Sequence, residues 1–72
     1  LSERTVEWNS GYTLYDRPRR LLWSGQWIEV IAVLERGYTL QGGFIKILAS
    51  NQQIFRLIYS RLQDSWRIQP SS

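Results

Sequence analysis

Arg17-Pro18-Arg19-Arg20-Leu21-Leu22-Trp23-Ser24-Gly25-Gln26-Trp27-Ile28-Glu29-Val30-Ile31-Ala32-Val33-Leu34-Glu35-Arg36 is the stretch on which the fold turns. Bulky and β-branched residues on either side of Ser24-Gly25-Gln26 describe two strands and a tight turn, with Gly25 taking a positive φ. In the second strand Ile28, Val30, Ala32 and Leu34 fall on one face and should meet the core. Trp27, Glu29, Ile31, Val33 and Glu35 fall on the other. The run of β-branched residues lowers helix propensity and sets a helix aside. Pro18 lacks a backbone donor, which suits a strand start or a bend and not the middle of a central strand.

Toward the C-terminus, Gly37-Tyr38-Thr39-Leu40-Gln41-Gly42-Gly43 reads as a glycine-rich loop. Phe44-Ile45-Lys46-Ile47-Leu48-Ala49 has strong strand composition, and Ser50-Asn51-Gln52 is a turn. Residues 53–61 carry two signals. Ile54, Leu57, Ile58, Arg61 and Leu62 recur at helical spacing, and Ser50 with Gln53 imitates a capping box. Phe55, Leu57 and Tyr59 alternate against Arg56, Ile58 and Ser60, and these residue types favour a strand. A strand is expected, because the preceding strand needs a partner along its edge. Leu62-Gln63-Asp64-Ser65 then turns the chain into Trp66-Arg67-Ile68-Gln69, stopped by Pro70, with 70–72 as a tail.

Toward the N-terminus, residues 1–11 are either a flexible segment or a short edge strand over Thr5-Val6-Glu7-Trp8. Tyr12-Thr13-Leu14-Tyr15 has strand composition. Residues 12–69 thus form one all-β domain of about five antiparallel strands, a small SH3-like barrel or a strongly bent meander.

Composition narrows the chemistry. The 72 residues contain no cysteine and no histidine, so disulfides, thiolate metal sites and the commonest general base are missing. The six acidic residues are scattered, and there is no glycine-rich phosphate loop. Glu29 and Glu35 share a pleat face but lie about 20 Å apart along a strand, too far for paired acid–base work. No enzyme, cofactor or metal is expected. The ten aromatic residues should supply much of the core, Trp66 among them. No apolar run approaches the ~18 residues of a membrane span and no signal peptide is visible, so a cytoplasmic protein without a membrane partner is expected.

Eight arginines and one lysine give a net charge of +3. Guanidinium groups grip phosphate or carboxylate with two bonds and stack on bases. Arg17, Arg19 and Arg20 form the one charge cluster, with Arg17 and Arg19 on one strand face and Arg20 opposite. It reads either as a bend whose arginines pair with Asp16 or Glu35, or as a phosphate-contact patch with Trp23 or Trp27 beside it as a stacking platform. Trp23 and Trp27 bracket the turn symmetrically, which predicts a cross-strand pair. Lys46, Arg56 and Arg67 fall on neighbouring strands and read either as a second basic strip or as a solvated face. Tyr38 and Leu40 are either a lid over the barrel end or a protein contact.

The stretch from Arg17 to Val30 resembles a family of small bacterial β-rich proteins known only as a domain of unknown function. Its members carry an Arg-Pro-Arg stretch, then Trp-x-Gly-x-Trp and an alternating Val/Glu strand. They end in an apolar strand, a turn and a tryptophan, matched here by Phe55-Arg56-Leu57-Ile58-Tyr59 and Trp66-Arg67-Ile68. The resemblance covers about residues 15–69. It implies a compact β fold and, in some bacteria, genes placed near translesion DNA polymerases, with no activity or binding residues attached. Tyr12-Thr13-Leu14-Tyr15-Asp16 resembles the opening of peptide-binding SH3 domains, but their acidic loop and later paired tryptophans have no counterpart.

Two functions follow as expectations. The first is a nucleic-acid-binding module using Arg17, Arg19, Arg20, Trp23 and Trp27. The alternative is a protein-interaction module or accessory subunit using a sheet edge or the 37–43 loop, with Tyr38 and Leu40 in contact with the partner.

Overall fold

Alternating large apolar and polar side chains keep the backbone extended over most of its length, and short turns reverse it. A computed structural model describes residues 5–9 and 17–71. Six strands follow in order: β1 (Val6–Asn9), β2 (Arg17–Trp23), β3 (Gln26–Thr39), β4 (Gly42–Ala49), β5 (Ile54–Ser60) and β6 (Ser65–Pro70). Each pairs antiparallel with its neighbours in sequence, so the sheet order is β1-β2-β3-β4-β5-β6. The fold is all-β, a meander curled into a half-barrel, with no helix among the described residues. The sixth strand is β1, an edge strand where the N-terminal segment was expected to be either that or flexible. The strand expected over Tyr12–Tyr15 and any partner role of Asp16 lie outside the described residues.

The curl comes from β3. Its first residues, Gln26 to Glu29, pair with β2, and those from Val30 to Thr39 pair with β4. One strand of fourteen residues therefore belongs to two ladders and bends where it changes partner. Two of its residues, Ile31 and Leu34, are skipped in the register with β4, which runs Val30↔Ala49, Ala32↔Leu48, Val33↔Ile47, Glu35↔Lys46. Each is a bulge, which inserts a residue and sharpens the twist. The expected core face of β3 is corrected accordingly. Val30 and Val33 pack against the core, whereas Ile31 and Leu34 are exposed and Ala32 lies opposite Leu48 on the outer side. Strict alternation fails because each bulge moves the following residues to the other face.

The core is clearest where alternation is unbroken. Ile45, Ile47 and Ala49 of β4 and Phe55 and Leu57 of β5 are buried, with Leu21 and Val6 from the first two strands against them. Ile45 pairs with Leu57 and Ile47 with Phe55, so the cross-strand partners share the same side. Burying each such side chain contributes roughly 1.5–3 kcal/mol. Trp66 joins the core margin: its ring centroid lies 5.1 Å from that of Tyr59.

Residues 54–60 are a strand, not a helix. Ser50 and Gln53 belong to a reversal instead of a capping box: the Gln53 amide donates to Asn51 Oδ1 at 3.0 Å, and Gln52 takes φ 67. At the other end β6 runs through Pro70, which pairs with Phe55, and the Ser71 amide donates to the Ile54 carbonyl at 2.8 Å. An edge strand tolerates this proline because its missing donor need not serve a second neighbour.

Candidate interaction surfaces

The arginine cluster is shaped by another bulge. β1 and β2 align Glu7 with Arg20 and Trp8 with Pro18, so Arg19 is skipped. Pro18 is consequently buried on the core side. Arg17 and Arg20 share the outer face, and Arg19 is exposed at the bulge. This corrects the expectation that Arg17 and Arg19 share a face with Arg20 opposite.

Arg20 is held from several sides. Its Nε donates to Glu7 Oε1 at 2.9 Å and its Nη2 to Glu7 Oε2 at 2.8 Å, a bidentate pair. Its guanidinium carbon sits 4.7 Å from the Trp27 ring centroid, and Glu29 is its direct partner on β3. The hydrogen bond to Glu7 raises the Arg20 pKa above its ordinary value. Desolvation opposes this in part, and the charges of Glu7 and Glu29 add to it. The group therefore stays charged, with that charge already balanced within the protein. Among the described residues the partner of Arg20 is Glu7, not the Glu35 expected from the sequence.

Trp23 and Trp27 do not form the expected cross-strand pair. Ser24 and Gly25 both take positive φ, 51 and 77, which makes a two-residue turn of type I′. Trp23 then faces Gln26, and Trp27 faces Leu22. A turn one residue shorter than Ser24-Gly25-Gln26 places the two rings on opposite faces. Trp23 packs edge-on against Phe55, with centroids 5.3 Å apart. Trp27 remains 42% exposed beside Arg20. Of the five residues expected to meet nucleic acid, Arg17, Arg19 and Trp27 lie at the surface, Arg20 is committed to Glu7, and Trp23 is part of the core margin.

Residues 37–43 are not an open loop. They form the end of the β3–β4 hairpin, with Thr39 paired to Gly42 and a two-residue tip of Leu40 and Gln41. Gly42 donates its amide to Thr39 Oγ1 at 3.0 Å. The β5–β6 turn lies alongside, and the Arg61 amide donates to the Gln41 carbonyl at 2.7 Å, which ties the two tips together. Gly42 permits the close approach, since a Cβ there would fall 2.2 Å from the Tyr59 carbonyl oxygen. Tyr59 OH donates to Asp64 Oδ1 at 2.5 Å and braces the second turn.

Three large apolar side chains project from this end: Tyr38 is 96% exposed, Leu40 95% and Leu62 95%. Tyr38 and Leu40 therefore do not fold back as a lid. Leu62 was not singled out from the sequence. Its signal was present in the otherwise polar turn Arg61-Leu62-Gln63-Asp64, but which other turn it would meet depends on the register.

On the outer face of β4–β6, Lys46 lies directly opposite Arg56, and Arg67 lies opposite Ile58, the next residue of β5 on that face. The second basic strip is thus assembled as three side chains on one face. No helix among the described residues is long and apolar enough to cross a membrane. No family model, no curated protein and no solved structure matches the chain.

Proposed function

We propose that this domain is a non-enzymatic protein-interaction module that docks through its paired hairpin tips. One observation carries the reading: Tyr38, Leu40 and Leu62 are almost wholly exposed, at the ends of two hairpins whose turns a backbone hydrogen bond holds together. Singly scattered surface leucines are ordinary, but three large apolar side chains borne on two hairpin ends that a backbone hydrogen bond joins mark one end of the sheet for docking. A partner with an apolar recess would bury two leucines and a tyrosine, and little conformational freedom would be lost because the tips are already fixed. The Arg/Trp surface supports binding less well, since Arg20 is neutralised by Glu7 and Trp23 is packed on Phe55. The family resemblance supplies no site residues, and the reading does not rest on it.

A photo-cross-linking residue at position 40, introduced in cells that make the protein, tests the docking end. A discrete protein adduct is expected from position 40, lost on Leu62→Ser and not formed from position 19. Absence of an adduct at position 40, or equal adducts from position 19, would overturn the reading.

A further inference from the structure

The strand register lines up two rows across the outer face of β3–β6. The first reads Glu35, Lys46, Arg56, Gln69, and the second Gly37, Phe44, Ile58, Arg67. Directly opposed residues hold their Cβ atoms about 5 Å apart, and diagonal neighbours such as Arg56 and Arg67 about 7–8 Å. Glu35 is the one carboxylate in the two rows, and it stands at their edge beside Lys46. Among the described residues Lys46, Arg56 and Arg67 make no ion pair, in contrast to Arg20 with Glu7. Like charges placed opposite each other destabilise a sheet. An anion settling between them relieves that repulsion.

The apolar residues in these rows add a second recognition element. The Arg56 guanidinium carbon lies 5.0 Å over the Phe44 ring centroid. Phe44 in turn lies over Gly37, where a Cβ would come within 2.6 Å of the ring. The guanidinium is therefore a supported, charged plane instead of a free chain end, and Lys46 and Arg67 flank it. Planar cations of this kind stack on unpaired bases, which a duplex keeps inside its helix.

From this geometry we infer that the outer face of β4–β6 binds single-stranded nucleic acid. Lys46 and Arg67 hold phosphates, and Arg56 on Phe44 receives a base. The site is separate from the hairpin tips and stands whether or not they dock a protein. It also differs from the Arg17–Arg20 cluster.

Fluorescence anisotropy of labelled oligo(dT) and oligo(U), each about 12 nucleotides long and within the site sizes such sheets use, tests this against a duplex of equal length. Single strands are expected to bind more tightly than the duplex. With two or three phosphate contacts, affinity should fall about 7- to 20-fold between about 50 and 200 mM salt. The variant K46Q/R56Q should lose most of the low-salt binding, whereas R17Q/R19Q should stay within about twofold of the parent. Phe44→Leu should weaken binding with the salt slope unchanged, because it removes the support and no charge. Circular dichroism establishes that each protein is folded. No anisotropy change at low salt with folded protein would overturn the inference. So would equal affinity for the duplex, or loss of binding in R17Q/R19Q with K46Q/R56Q unaffected.

Discussion

Trp8 of the first strand and Trp66 of the last lie with ring centroids 4.8 Å apart and planes inclined at 49°. Among the described residues no ladder joins β1 to β6, so these two rings span the seam that backbone hydrogen bonds leave open. Aromatic pairs at this separation contribute ~0.5–1.5 kcal/mol beyond the area they bury. Trp8→Ala and Trp66→Ala should each lower stability in urea, with a double-mutant coupling of about 0.5–1.5 kcal/mol. Strict additivity would mean that the seam is not held by this pair.

The two tryptophans beside the β2–β3 turn should respond very differently. Trp23 packs on Phe55, so Trp23→Ala is expected to cost about 3–5 kcal/mol, enough to threaten a domain of this size. Trp27 lies on the outer face, and Trp27→Ala should cost less than about 1 kcal/mol. Chemical denaturation compares them directly. Similar losses would mean that the rings share one environment.

The bulges of β3 give a third test. Leu34→Ser should fall within about 0.5 kcal/mol of the parent, because Leu34 is already exposed. Val33→Ala should cost roughly 1–2 kcal/mol through lost core packing. The reverse order in thermal melts would restore simple alternation along the strand.

At the tips, Gly42→Ala should be destabilising by about 1–3 kcal/mol, because its Cβ would meet the backbone of Tyr59 and not a movable side-chain end. Leu40→Ser and Leu62→Ser should leave stability nearly unchanged. Hydrogen exchange at the Arg61 amide should accelerate in the Gly42 variant and stay slow in the leucine variants, reporting whether the two turns remain joined.

The regular parts of this structure can be read from the sequence, and the bulged parts cannot. On β4 and β5 the period-two pattern of Ile45, Ile47, Phe55 and Leu57 identifies both the strands and their buried face. Strand chemistry at Phe55, Leu57 and Tyr59 also outweighs the helical spacing of Ile54, Leu57 and Ile58. The faces of Arg19, Ile31 and Leu34 depend on an extra residue in one strand relative to its neighbour, and no single-strand pattern records that count. The pairing of Arg20 with Glu7 spans thirteen positions and exists only once the register of β1 on β2 is set. The basic strip of Lys46, Arg56 and Arg67 was foreseeable because those strands pair without interruption. The contact between the Leu40 and Leu62 turns depended on how three strands align at one end.

The shared membership of β3 also governs how the molecule comes apart. Its first four residues complete the ladder with β2, and the rest begin the ladder with β4. Neither side of the sheet can melt without stripping the other of part of its longest strand. A cut at the Leu40–Gln41 tip would leave β3 on one fragment and its β4 partner on the other, so each piece would be incomplete alone. Such fragments are built to reassemble, and the intact chain is expected to unfold as one cooperative unit with no internal boundary.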